Sequence, residues 1–167
     1  MTPSKELLVV GNLAKDVVFG QENFGGSAAS ISVNAQRLGI QTGIVSVLGR
    51  DTFSSKYKDF LAQEGIDSSL ITQSVEELAV CTVVSNENSI RSSIWIDNGC
   101  HSALEDLQIE DHAITPYLIV HLVSCPNQLA ARLARVATRL SYEPGPLLLD
   151  FPEYLDLSVA ARSQFLF

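Results

Sequence analysis

Short apolar runs alternate with amphipathic stretches along most of this chain. Leu7-Leu-Val-Val10 is apolar, rich in β-branched residues and closed by Gly11, which predicts a buried strand. Val17-Val-Phe19 predicts a second short strand, ended by Gly20. After Gly25-Gly26, the residues Ala28, Ile31, Ala35 and Leu38 recur at helical spacing, with Ser27 placed to cap the start and Gly39 to end the helix. Thr42 to Leu48 reads as the next strand. Phe53, Tyr57, Phe60 and Leu61 then mark a helix that stops at Gly65. Asp51 fits its N-cap, and Asp67 reads as a turn residue.

The middle of the chain changes period. Ala79 to Ser85 and Ile90 to Ile96 flank the polar stretch Asn86-Glu-Asn-Ser89, a hairpin pattern. Helices and strands then alternate again, with a strand at Tyr117–Leu122, a helix at Gln128–Leu140, a strand at Leu147–Leu149 ending on Asp150, and a helix at Leu155–Arg162. This rhythm implies a parallel sheet covered by helices on both faces, with the hairpin as a separate flap. Ser163 to Phe167 is apolar and carries no cap or polar tail. The expectation is that more chain covers this edge, so that the sequence is truncated at its C-terminal side.

Composition narrows the function classes. The chain has 167 residues, enough for about one domain with a real core. Hydrophobic residues make up 46% and charged residues 18%, a globular balance. A net charge of -8 argues against nucleic acid as a partner, since phosphate binding needs a surplus of Lys and Arg. No apolar run approaches a membrane span, and Met1-Thr-Pro-Ser-Lys-Glu6 lacks the apolar stretch of a signal peptide. Cys81, Cys100 and Cys125 are widely spaced and, with His101, His112 and His121, form no metal-ligand pattern. Reduced thiols and a cytoplasmic location are expected.

The candidate chemistry gathers near the N-terminus. In a parallel sheet, ligands bind beyond the carboxyl ends of the strands, where Gly11 and Asp16 follow the first strand. Paired glycines let a ligand lie against the main chain, and the helix start behind Gly25-Gly26 offers free N–H groups. An aspartate nearby can accept from two sugar hydroxyls. A plain turn and a solvated charge would carry the same residues. Elsewhere, Arg132, Arg135 and Arg139 read as a solvated helix face, and His121 as a satisfied core histidine. Arg91 and Trp95 share a hairpin face, where Trp95 could stack on a sugar or base or serve as a packing or dimer contact.

The order of the pieces adds a resemblance. Gly11-Asn-Leu-Ala-Lys-Asp16, Phe24-Gly-Gly-Ser-Ala-Ala-Ser30 with its helix to Gly39, Gly49-Arg-Asp51 and Leu61-Ala-Gln-Glu-Gly-Ile-Asp67 occur in sequence. Together they resemble the N-terminal signature of PfkB family, ribokinase-like carbohydrate kinases. Asn98-Gly99-Cys100 with Leu104, and Asp150-Phe-Pro152, are similar to later segments of that family.

The resemblance implies a Rossmann-like α/β ribokinase fold, residues 1–167 forming its substrate-binding part, with lid strands at about 17–24 and 79–96. It implies ATP and Mg2+, and a sugar or nucleoside as the small-molecule partner, with no nucleic acid, no membrane and a possible homodimer through the lid. Asp16 would hold substrate hydroxyls, Gly25 and Gly26 would pack on the substrate and act as a hinge, Ser30 and Ser124 would line the pocket, and Arg91 and Trp95 would belong to the lid. Ser30 stands where ribokinase-like members carry Asn, and Ser54 stands where the family's Gly-x-Asp-x-x-Gly ends in glycine. The short interval between Asp16 and Gly25 predicts a lid smaller than that of ribokinase. The catalytic aspartate of the family lies in a Gly-Ala-Gly-Asp run that these residues do not contain, so the chain alone is expected to be inactive. The alternative from another class is a non-catalytic ligand-binding or interaction module.

Overall fold

The computed structural model describes residues 5–85, 91–145 and 155–167, with the side chains of 83–85 and 91–96 outside that description. The expected polar turn at 86–89, the strand at 147–149 and the Asp150-Phe-Pro152 segment all fall outside the described residues.

Two sheets organise the chain. The larger is built from β1 (Lys5–Gly11), β4 (Thr42–Leu48), β5 (Asp67–Gln73), β8 (Tyr117–Val123), β9 (Leu140–Glu143) and β10 (Phe165–Leu166). These six strands run in the order β10-β9-β8-β1-β4-β5, every neighbouring pair parallel. The smaller sheet contains β2 (Ala14–Val18), β3 (Gln21–Gly25), β6 (Val80–Ser85) and β7 (Arg91–Asp97), in the order β3-β2-β6-β7. The hairpin is thus separate from the larger sheet, as expected, but it does not stand alone: β6 joins β2 in parallel and shares its sheet.

The strands of the larger sheet are apolar for a physical reason. All seven residues of β4 are buried, since a central parallel strand is covered on both faces. The core includes Leu8, Val9 and Val10 of β1, Ile44 and Val45 of β4, and Val120 and Leu122 of β8. Helices α1 (Ser27–Arg37), α2 (Thr52–Gln63), α3 (Asp111–Ile114), α4 (Asn127–Val136) and α5 (Leu157–Arg162) connect the strands, with a 3-10 turn at Gly99–Leu104. The chain moves from β1 to β4 and β5 on one side, then from β8 to β9 and β10 on the other. The order reverses between β1 and β8, so their carboxyl ends, where Gly11 pairs with Val123, flank the topological switch point.

Several sequence expectations are corrected. Asp67 is no turn residue but opens β5, where Lys5 holds its carboxylate at 2.6 Å. The helix from Gln128 ends at Val136, and Leu140–Glu143 forms β9 against β8. Arg139 therefore leaves the helix, where it lies over the Phe165 ring, and Arg132 donates to the Leu107 carbonyl, leaving only Arg135 exposed on the helix face. Ser27 is not the cap of α1. Gly26 holds that position without a side-chain bond, and Asn12 Oδ1 accepts from the Ser27 N–H at 3.3 Å instead.

Candidate functional site

The site is built where the chain leaves the large sheet at the switch point. Asn12 and Leu13 carry it from β1 into β2, and Gly25 and Gly26 carry it from β3 back into α1. These two crossings interlock. Asn12 also accepts from the Ala28 N–H through its carbonyl, at 3.3 Å. Gly26 has φ +93, a conformation that L side chains rarely adopt, and a Cβ there would lie 2.5 Å from the Asn12 carbonyl and 2.8 Å from Leu13 Cα. Only glycine fits both the backbone angle and the space.

Asp16 sits one strand away. In the antiparallel β2–β3 pair it stands opposite Asn23, and strand alternation places its side chain on the same face as Gly25. The carboxylate covers the Gly25 backbone so closely that a Cβ at Gly25 would be 2.5 Å from Asp16 Oδ2 and nearer still to Cγ. Asp16 is half-buried and Gly25 buried. The absence of a side chain at 25 is thus what lets an acidic group lie flat on the main chain at this crossing.

The structure brings Asp16, Gly25 and Gly26 together. Ser30 lies in the first turn of α1, exposed, its Oγ bonded to the Gly26 carbonyl at 3.2 Å. Ser124 follows β8 at the other side of the switch point, half-buried, with φ +46, a left-handed value that is uncommon for a non-glycine residue. The side chains of Arg91 and Trp95 lie outside the described residues. His121 is buried within β8, its Nδ1 2.8 Å from Ser141 Oγ and its Nε2 3.8 Å from the Glu143 carboxylate. Burial lowers its pKa and favours the neutral ring.

Two groups support the site, of which the sequence pattern marked Asp51 as a helix cap but gave no sign of the Tyr57 hydroxyl. Tyr57 of α2, fully buried, donates its hydroxyl to the Gly25 carbonyl. Burial, and then the charge of Asp16, push its pKa well above the ordinary phenol value, so it is a neutral donor. Asp51 caps α2, accepting from the Ser54 N–H and Oγ and from the Leu78 N–H, each at 2.8 Å. Burial alone would raise its pKa, but these bonds outweigh it and hold the carboxyl below its usual value. Ser54, in the place of a family glycine, also accepts from the Gly49 N–H at 3.0 Å. The hydroxyl therefore joins the turn to the cap.

A cleft of about 250 Å³ lies on the other face of the small sheet, lined by Lys15, Asp51, Lys56 and Leu78 among others. Lys15 and Asp16 point to opposite faces, so this cleft does not contain the Asp16 carboxylate. Among the described residues, no three His, Cys, Asp or Glu side chains gather in a way that could hold a metal ion. No described helix is long and apolar enough to cross a membrane.

The model of the PfkB family of carbohydrate kinases matches residues 6–141, most of the chain. The chain belongs to the PfkB family. Among curated relatives, a nucleoside kinase of Methanothermobacter thermautotrophicus is 28% identical over a match covering 98% of this chain and 57% of its own length. A ribokinase of Haemophilus influenzae is 27% identical, over 80% of this chain and 46% of its own. The chain thus spans about half to three-fifths of the curated relatives it matches. The crystal structure of the Methanocaldococcus jannaschii nucleoside kinase, described as an archaeal member of the ribokinase family, superposes with a TM-score of 0.86 at 20% identity, covering 100% of this chain and 61% of that one. That establishes the ribokinase fold for this PfkB member. A putative ribokinase II from E. coli, solved with ATP and Mg2+, shares the fold with a TM-score of 0.74 at 18% identity, over 90% of this chain and 56% of that one.

Proposed function

We propose that this chain is the acceptor-binding part of an ATP-dependent kinase that phosphorylates a hydroxyl of a nucleoside or sugar. The observation that carries the reading is the Asp16 carboxylate lying on the Gly25 backbone beside the switch point. A carboxylate accepts two hydrogen bonds side by side, which suits a pair of neighbouring sugar hydroxyls. Bare main chain at Gly25 and Gly26 suits the flat contact of a sugar ring. Ser30 and Ser124 flank this surface and supply hydroxyl contacts. The two nucleoside kinases that match over 98% of the chain favour a nucleoside over a free sugar as acceptor.

In this reading the four-stranded sheet of β2, β3, β6 and β7 is the lid, with Arg91 and Trp95 on β7, and a second copy pairs through it. Closure over the acceptor would exclude water, so that ATP is not merely hydrolysed. The family resemblance puts the transferring aspartate and its anion hole in a Gly-Ala-Gly-Asp run, and these 167 residues contain none, so in this reading the part described binds acceptor and does not by itself phosphorylate it. ATP with Mg2+ would supply the phosphoryl group. Among the described residues no group of three or more His, Cys, Asp or Glu side chains could hold that ion.

The test is acceptor-dependent ADP release by the full-length protein against a panel of nucleosides and sugars, with the product identified by mass spectrometry. A phosphorylated nucleoside is expected. ADP release that no acceptor stimulates would remove the kinase reading.

A further inference from the structure

Helix α2 contributes no side chain to the acceptor surface itself, yet it reaches the crossings between the two sheets. At its N-terminus Asp51 accepts from the Leu78 N–H, in the segment that leads into β6. Nearly two turns on, Tyr57 donates to the Gly25 carbonyl, at the end of β3. Phe24 anchors the same strand end, its ring stacked on Phe60 with centroids 4.5 Å apart and 11° between planes, and packed on Phe53 at 5.1 Å. Tyr57 meets Phe24 edge-on at 4.9 Å. The end of β3 is therefore held by three aromatic rings and one hydroxyl of α2.

We infer that Tyr57 is a positioning residue for the acceptor pocket, its hydroxyl fixing the Gly25–Gly26 peptide beneath the Asp16 carboxylate. A planar trans peptide carries its C=O and the following N–H on opposite edges. Holding the Gly25 carbonyl toward α2 therefore turns the Gly26 N–H away from α2. Glycine pairs are otherwise free to reorient this plane, because neither residue has a side chain to restrict it. Asp16 blocks the Cα face of Gly25, Asn12 and Leu13 block that of Gly26, and Tyr57 fixes the remaining rotation. The hydroxyl is suited to this, since burial and the Asp16 charge keep it protonated. This role rests on the acceptor-site reading above.

The test compares wild type and Tyr57→Phe in the full-length protein, a change that keeps the ring packing and removes only the hydroxyl. Hydrogen–deuterium exchange of a peptide covering residues 20–30 is expected to quicken about tenfold, as the clamp on its carbonyl is lost. Exchange over β1 should stay unchanged. With a nucleoside acceptor, acceptor KM should rise about tenfold while the KM for ATP stays within twofold, the pattern of a lost positioning contact. A merely structural residue would lower Tm and leave the acceptor KM alone. Unchanged exchange at 20–30, or an unchanged acceptor KM beside a lowered Tm, overturns the inference. If wild type phosphorylates no acceptor, the kinase reading fails instead, and the exchange comparison alone decides for or against the clamp.

Discussion

Replacing Gly25 by alanine should separate the pocket from the fold. The new Cβ would lie 2.5 Å from Asp16 Oδ2, whereas ordinary contact begins at 3.4 Å. The carboxylate must therefore retreat by about 1 Å, a displacement of a positioning group that can cost about 100-fold in function. That factor corresponds to about 2.7 kcal/mol of acceptor binding. The fold should suffer much less. Gly25 is not among the glycines with positive φ, so alanine fits its backbone. The displaced atoms are the tip of a half-buried side chain, and alanine restricts the unfolded chain by about 0.4–1 kcal/mol in compensation. Net stability should change by about 1 kcal/mol or less, a Tm shift of about 2–4 °C for a chain of this size. Isothermal titration with the accepted nucleoside, beside a thermal melt, measures both. A dissociation constant within threefold of wild type would refute the claim that Asp16 must lie on the Gly25 backbone. Adding Asp16→Asn to Gly25→Ala should change binding less than threefold further, since both remove the same contact.

Other outcomes follow from the same contacts. Asp51→Ala removes the α2 cap and the bond to Leu78, and should cost about 2–3 kcal/mol in urea unfolding, more than a cap alone; a loss under 0.5 kcal/mol would contradict this. Burial opposes ionisation of Asp67, but Lys5 and Ser69 hold its carboxyl far below its usual value. A depressed carboxylate contributes stability above its unfolded pKa of about 4, lost as pH falls toward the folded value. Because the pair is partly exposed, Asp67→Asn should lower Tm by only about 1–4 °C at pH 7, with the difference shrinking below about pH 4. A difference that grows in acid would contradict that sign.

The alternation of apolar and amphipathic segments exposed the central sheet, because β1, β4 and β8 are buried on both faces and must be apolar. The edge strands were harder. β5 reads Asp-Ser-Ser-Leu-Ile-Thr-Gln, half exposed at a sheet edge, so its polar residues resemble a loop. β9 has four residues, and Leu140 falls in helical phase with Leu133, which hid the break after Val136. β3, Gln-Glu-Asn-Phe-Gly, is exposed except at Gly25 and carries no strand pattern. At the site, the Gly-Gly pair and Asp16 stood out because spacing alone can mark them. Tyr57 did not, since a tyrosine at a core helix position satisfies the apolar period whether or not its hydroxyl has work. The Asn12 cap was hidden for a related reason: its partner Ser27 lies 15 residues away, beyond any local pattern.

The central claim is that Asp16 holds the hydroxyls of the acceptor. Its most direct measurement is the affinity of full-length wild type and Asp16→Asn for the nucleoside that wild type phosphorylates, by isothermal titration, with ATP affinity as control. The amide keeps the shape of the carboxylate but leaves a single, uncharged acceptor oxygen, so acceptor affinity should fall by about 10- to 100-fold, the worth of one lost charged hydrogen bond. ATP affinity should stay within twofold. Equal nucleoside affinity in the two proteins would remove Asp16 from the site.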